Sequence, residues 1–304
     1  MIYHNYVYRK TKTLYEHFHA QLIHILTIEN YSALYAIPIE TPVVLQAHAE
    51  EIIEGAPLRI CAERADIIIC TSHYGASLFA ALAPNSVRKI RVLHPAVDCE
   101  GYSVPTRASR HTSIVTVARL DSRKNIDTLI RAFGLLMHET PDATLTIIGD
   151  GPERNMLEAL ARKTAPGKIL FTGWATEARK RELLGKARVF ALCPRVRDAR
   201  AEGFGIAFVE AQAAGTPVVG SDVGGVPESA GPHSILVKDP LNAAAIAKAI
   251  KTLWNNNKQW DKQHRAGLAY AKQFSTERYI KGVLAAYAEA RAAHITNNDV
   301  KRKA

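Results

Sequence analysis

A chain of 304 residues can fill two ordinary hydrophobic cores, and 47% hydrophobic with 22% charged residues is a globular composition, not a disordered or fibrous one. No apolar run approaches the 18 residues of a bilayer-crossing helix, and the N-terminus, Met-Ile-Tyr-His-Asn-Tyr-Val-Tyr-Arg-Lys, lacks the apolar core of a signal peptide. The net charge of +10 invites an anionic partner, but no groove-reading or base-stacking motif accompanies it, which argues against nucleic acid. The basic clusters Arg9-Lys10-Lys12, Arg88-Lys89-Arg91, Arg179-Lys180-Arg181 and Lys301-Arg302-Lys303 leave two readings open, solvated faces and peripheral contact with an anionic membrane. Cys61, Cys70, Cys99 and Cys193 form no C-x-x-C pair, so reduced thiols and a cytoplasmic location are expected.

In chain order, Leu22–Ile28, Val43–Ala47, Asp66–Cys70 and Ile90–His94 are short apolar runs bounded by breakers, and helix-like stretches lie at Leu58–Ala65 and Tyr74–Ala83. Such alternation predicts a parallel sheet buried on both faces. Pro95–Thr112, without periodicity, is the candidate linker. The alternation resumes with strands expected at Ser113–Ala118, Thr144–Gly149, Lys168–Thr172, Val189–Cys193 and Pro217–Gly220. Ile126, Leu129, Ile130, Phe133, Leu136 and Met137 form one helical stripe. Helices are expected at Leu241–Trp254, Gln263–Phe274 and Ser275–Ala293. The expected fold class is therefore α/β with two doubly wound parallel sheets: residues 1–108, residues 109–274, then a last helix and basic tail at 275–304. Doubly wound sheets bind ligands at the carboxyl ends of their strands, which predicts one shared rim for Arg119, Asp150, Gly173 and Pro194.

The most informative stretch is Ala201-Glu-Gly-Phe-Gly-Ile-Ala-Phe-Val-Glu-Ala-Gln-Ala-Ala-Gly215. Two glycines around Phe204 suit a tight turn, an apolar helix follows, and Gly215 suits its C-cap. The helix start would direct free N–H groups at an anion, phosphate above all. Glu202 and Glu210 stand eight positions apart, roughly 12 Å along a helix, against roughly 5 to 9.5 Å for paired glycosidase carboxyls. They suit instead the two hydroxyl-bearing ends of a long ligand with an anionic middle, such as a nucleotide-sugar. An exposed glutamate and a capping glutamate are the plainer alternative.

Glu202-Gly-Phe-Gly-x-x-x-x-Glu210-Ala, followed by Gly215-Thr-Pro-Val-Val-Gly-Ser-Asp-Val-Gly-Gly-Val-Pro-Glu228, resembles retaining glycosyltransferase family 4, of GT-B fold. Val117-Ala-Arg119-Leu-Asp-Ser-Arg-Lys124-Asn resembles that family's Gly-Arg-Leu…Lys-Gly segment, with Ala118 and Asn125 where glycines are common; Ile148-Gly-Asp-Gly-Pro152 and Phe171-Thr-Gly173 are further landmarks. The resemblance implies sugar transfer from a nucleoside diphosphate sugar to a saccharide or lipid-linked acceptor, with retention of configuration and without metal or other cofactor. It implies that Arg119 and Lys124 stabilise the diphosphate, Glu202 touches the sugar, and Glu210 holds the ribose. Backbone near Gly203, Phe204, Gly205 and Ile206 would meet the phosphates, and the loop at Gly173 and Trp174 would border the base. Val44-Leu-Gln-Ala-His48-Ala-Glu50 resembles the family's strand with His-Asp or His-Thr, which would put His48 near the reacting sugar. Ala49 replaces the usual partner, and a locally hydrogen-bonded histidine is the other reading.

No Asp-x-Asp occurs and no histidine set has metal-site spacing. A dinucleotide-dependent dehydrogenase is disfavoured because Phe208 stands at the third glycine position and Glu210 is too close to serve as the ribose acid. Family members usually begin with further strand–helix units and a glycine-rich loop, whereas residues 1–20 contain no glycine, so the first domain reads as abbreviated. The corresponding expectations are diphosphate binding with poor transfer by the isolated chain, and a homodimer or other partner over the sheet edge. A nucleotide-sugar-binding module without transfer, and a GT-B epimerase, are the competing functions.

Overall fold

The computed structural model describes residues 2–106, 110 and 113–303, with side chains for 3–106, 110 and 113–296. The chain divides into two compact units, residues 1–95 with 277–304, and residues 96–276.

The first unit opens with a helix absent from the sequence expectations, α1 (Ile2–Phe18), fastened to the following segment through Tyr3 Oη to Asn30 Oδ1 at 2.7 Å and Tyr15 Oη to Thr41 Oγ1 at 2.8 Å. Its strands β1 (Ile23–Ile25), β2 (Val43–Ala47), β3 (Ile67–Cys70) and β4 (Ile90–Val92) pair side by side in chain order, all parallel. Helices α2 (Ala56–Arg64) and α3 (His73–Leu82) alternate with them. The period of two sorts the apolar residues: Leu45, Ile68 and Cys70 join Leu58, Cys61 and Phe79 on one face, while Val44, Ile67 and Ile69 meet Ala286 and Ala290 of the last helix, Thr276–Lys303, on the other. Polar ties hold that helix: His294 Nδ1 lies 3.1 Å from both oxygens of Asp66, Arg91 Nε donates to Glu289 Oε2 at 2.7 Å, and Tyr279 Oη donates to Gln46 Oε1 at 3.1 Å. The run Leu22–Ile28 is a strand only over β1, because Thr27 caps a 3₁₀ segment, Ile28–Ala36, by accepting from Glu29 N. Side chains of the tail cluster Lys301-Arg302-Lys303 lie outside the described residues.

The second unit runs β5 (Ser113–Val117), α4 (Ile126–Met137), β6 (Thr144–Ile148), α5 (Arg154–Thr164), β7 (Ile169–Gly173), α6 (Glu177–Lys186), β8 (Val189–Ala191), α7 (Ile206–Ala213), β9 (Val218–Ser221), α8 (Val226–Ala230), β10 (Ile235–Val237), α9 (Ala243–Asn255) and α10 (Asn257–Ala271). The sheet order is β10-β9-β8-β5-β6-β7, all parallel, which is the 3-2-1-4-5-6 arrangement with its topological switch point between β5 and β8. Ile126, Leu129, Ile130, Phe133 and Leu136 are buried as their spacing predicts. Strand β10 is not among the expected strands.

The division falls after Pro95 and not at 108, since Val97 and Tyr102 pack in the second core and Val97 N donates to Phe274 O at 2.8 Å. Of the expected linker, residues 107–109 and 111–112 lie outside the described residues, and Arg110 is buried, donating to the carbonyls of Gly185, Ala187 and Ala214.

Candidate donor-binding site

The site grows from the carboxyl ends of β5 and β6. Ala118 N donates to Ile148 O and Leu120 N to Asp150 O, so the two loops run in contact. A Cβ on Gly149 (φ +130°) would lie 1.9 Å from Ala118 O, and one on Gly151 would lie 2.4 Å from Leu120 O. Contact this close needs glycine at both places. It leaves Arg119 on the rim with 69% of its side chain exposed and Asp121 4.0 Å away. Asp121 then accepts from the backbone of Arg123 and Lys124, closing the turn Ser122–Lys124. Asn125 follows at φ +59°, in the left-handed region that asparagine tolerates best after glycine. Its Nδ2 donates to Cys193 O at 2.9 Å and Pro240 O at 2.7 Å, and its Oδ1 accepts from Thr128 Oγ1.

Across the switch point stands Glu202. Gly225 N donates to Glu202 O at 2.8 Å, and a Cβ on Gly225 would come within 2.1 Å of Gly203 O. The Val-Gly-Gly-Val segment is thus a backbone-to-backbone brace for the glutamate loop. Gly205 (φ +85°) is the N-cap of α7, whose first N–H groups have no carbonyl within the helix to bond. Gly215 (φ +70°) ends it, with its N–H on Gln212 O and Thr216 N on Ala211 O.

A cavity of about 310 Å³ opens here, lined by Arg119, Lys124, Trp174, Glu177, Lys180, Glu202, Gly205, Ile206 and Glu210 among others. Glu202 is 5% exposed and its Oε2 is paired with Lys124 Nζ. Glu210, 9% exposed, accepts from Lys180 Nζ at 2.7 Å, and Lys180 also meets Glu177 at 2.9 Å. Burial pushes the Glu210 carboxyl above its ordinary range, with Lys180 opposing. Burial pulls the Lys180 ammonium down, but its bonds to Glu210 and Glu177 leave it above its usual value. Each buried charge therefore has a partner, as a desolvated site requires.

Of the residues the sequence points to, Arg119, Lys124, Trp174, Glu202, Gly205, Ile206 and Glu210 line this one cavity. Trp174 is 78% exposed at its edge. Phe204 turns into the core instead, 4% exposed and 5.5 Å from the Phe274 ring, because the bend between two glycines points it beneath the loop. Gly203 backs onto Gly225, and Gly173 accepts through its carbonyl from Gly149 N, so both support the walls. His48 belongs to the first unit, after β2, with its Nε2 3.3 Å from Gln46 Nε2. Lys180 escapes the sequence reading as a site residue: it lies in a basic triplet, and its only signal is the i, i+3 spacing from Glu177.

Residues 105–273 match the family described as glycosyl transferases group 1. The chain belongs to that family. Among curated relatives, the GDP-mannose-dependent alpha-(1-6)-phosphatidylinositol monomannoside mannosyltransferase of Mycobacterium tuberculosis is 31% identical over 211 residues, 64% of this chain and 54% of the relative. The O-antigen chain mannosyltransferase B of Escherichia coli is 33% identical over 174 residues, 56% of this chain and 44% of the relative. The chain thus spans about half the length of these relatives. Anabaena Alr3699/HepE, solved in complex with UDP and glucose, superposes with a TM-score of 0.79 at 18% identity, covering 93% of this chain and 81% of that one. A glycosyltransferase from Rickettsia africae gives 0.76 at 16% identity, covering 93% and 80%. This group 1 glycosyltransferase chain has the GT-B architecture of two parallel α/β units.

Proposed function

We propose that this chain catalyses transfer of a hexosyl group from a nucleoside diphosphate sugar to a lipid-linked or saccharide acceptor, with retention and without a metal ion. The observation that carries the reading is the cavity at the switch point, where Arg119, two lysine–glutamate pairs and the start of α7 converge. Breaking the sugar–phosphate bond leaves charge on the diphosphate, and Arg119, Lys124 and the N–H groups at Ile206 and Ala207 supply fixed positive potential for it. Because positive charge comes from side chains and a helix end, no metal bridge is needed. Lys124 shares itself between Glu202 and the leaving group, which couples the sugar's hydroxyl contacts to the developing charge. Glu210 accepts ribose hydroxyls, and Lys180 opposes the effect of burial by favouring its ionised form. A relative named for a phosphatidylinositol monomannoside supports a lipid-linked acceptor, and one named for an O-antigen chain supports a saccharide. Tyr3, Tyr6 and Leu14, exposed on α1 beside Lys10, suit contact with an anionic membrane.

Arg119→Ala tests the diphosphate role. The folded variant is expected to lose roughly 1 to 3 kcal/mol of nucleoside diphosphate affinity in calorimetry, the range for a charged hydrogen bond, while bare nucleoside binds both proteins equally weakly. Unchanged diphosphate affinity refutes the assignment. Turnover that persists in excess EDTA, giving a product of unchanged anomeric configuration by NMR, checks metal independence and retention.

A further inference from the structure

The segment joining β8 to α7 carries a feature that donor binding does not use. Arg197 N donates to Arg200 O and Arg200 N to Arg197 O, both at 2.9 Å, so the two arginines face each other as an antiparallel pair across a two-residue turn. The turn residues, Asp198 (φ +50°) and Ala199 (φ +60°), both adopt the left-handed region, where asparagine and glycine are usual and an alanine is strained. Residues opposed in this way send their side chains to the same face, from Cα atoms about 5.5 Å apart. Like charges directly opposite each other repel, yet here two arginines occupy opposed positions. Both side chains are exposed, and Asp198, 86% exposed and 3.8 Å from Arg197 Nε, is a weakly held neighbour. The base of the turn is rigid: Arg195 N donates to Arg123 O, Arg195 Nε to Ser122 O at 2.6 Å, and Arg123 Nη1 to Ala201 O at 3.4 Å. Ala201 alone separates Arg200 from Glu202, a wall of the cavity.

We infer that Arg197 and Arg200 form a two-guanidinium clamp for a phosphate group carried by the acceptor. The inference rests on the proposed transfer reaction. Guanidinium forks match phosphate oxygens two at a time, and a shared dianion or diester would turn the repulsion between the arginines into a common attraction. The strained turn fixes the separation of their Cα atoms before the ligand arrives, so only the two side chains remain to be ordered on binding. Next to Glu202, such a clamp would orient the acceptor towards the sugar end of the donor.

The experiment uses the full chain with three probes: myo-inositol 1-phosphate, phosphatidylcholine vesicles containing phosphatidylinositol, and GDP or UDP. In R197Q/R200Q the affinity for at least one phosphate probe is expected to fall tenfold or more, while diphosphate affinity stays within twofold. R197K/R200K, which keeps charge and loses the fork, should fall between. Binding of the soluble phosphate identifies a water-soluble acceptor, and binding of vesicles alone identifies a lipid headgroup. Unchanged phosphate affinity in R197Q/R200Q overturns the clamp, as does absence of phosphate binding by the native chain. A parallel loss of GDP or UDP affinity also overturns it, by assigning the turn to the donor. If phosphate binding depends on the arginines but no diphosphate binds, the clamp stands and the donor reading falls.

Discussion

Glu202 and Glu210 bear the same charge and similar burial but stand in different company. Glu202 is tied to Lys124 on the loop after β5, and Glu210 to Lys180 on α6. Their roles should therefore separate in binding. Glu202→Gln is expected to leave nucleoside diphosphate affinity nearly intact while weakening the nucleotide-sugar. Glu210→Gln should weaken both by roughly 1 to 3 kcal/mol, since ribose is common to them. Calorimetry with each ligand checks this, and identical behaviour of the two variants would sink the picture of one extended ligand. These residues are legible in the sequence because motif spacing ties them to glycine turns. Lys180 is not, because Arg179 and Arg181 flank it and only the fold turns one of the three inward. Phe204 lies within the motif, and its side chain anchors the loop from below. Asn125 explains its own departure from the glycine common at that position, since it supplies both the left-handed backbone and three hydrogen bonds that bind the loop to Cys193, Pro240 and Thr128.

At the scale of elements, most strands of the second unit can be read as apolar runs because a sheet covered on both faces leaves no polar alternation to confuse them. Strand β10 escapes because its apolar run stops at Ser234 and Lys238, whereas that of the equally short β8 continues through Leu192 and Cys193, and α1 escapes because its inward stripe is aromatic and polar, with His4 against Tyr31 and Tyr15 bonded to Thr41. The loops between elements depend on absent side chains in a graded way. Gly225→Ala would thrust a Cβ to 2.1 Å from Gly203 O, whereas Gly167, at φ +73°, has nothing within 4 Å of the added atom. Gly167→Ala should thus cost only its backbone strain, about 1 to 2 kcal/mol. Gly225→Ala should cost more and also weaken diphosphate binding, because the displaced carbonyl belongs to the glutamate loop. Urea denaturation beside ligand titration distinguishes the two, and equal losses would show that the brace yields easily.

Over the whole molecule, the thiols form a pH-dependent reserve of stability. Burial pushes Cys61, Cys70 and Cys193 up to about 12 from an ordinary value near 9. A group whose folded pKa is raised contributes stability that is complete below the unfolded value and is lost as pH rises towards the folded one. Between pH 9 and 10 each thiol can withdraw at most about 1.4 kcal/mol per unit. Above pH 10 Arg110, drawn down by burial to about 10, acts in the opposite sense. The expected result is a urea midpoint that falls from pH 9 to 10. At pH 8 a thiol reagent should leave these three residues unmodified until denaturant is added. Rapid native modification of all four cysteines would contradict the burial.

The second unit is one uninterrupted piece of chain, while the first is made of two pieces from opposite ends of the sequence. The bond from Val97 N to Phe274 O brings entry and exit of the second unit within hydrogen-bond reach. In construction terms it is a cassette with adjoining ends, which can be cut out, joined head to tail or reopened elsewhere with little rearrangement. A fragment of residues 96–276 is expected to fold cooperatively and to bind nucleoside diphosphate within a few-fold of the full chain. Its counterpart is not separable in the same way: residues 1–95 alone would leave Val44, Ile67 and Ile69 without Ala286 and Ala290, and Asp66 without His294.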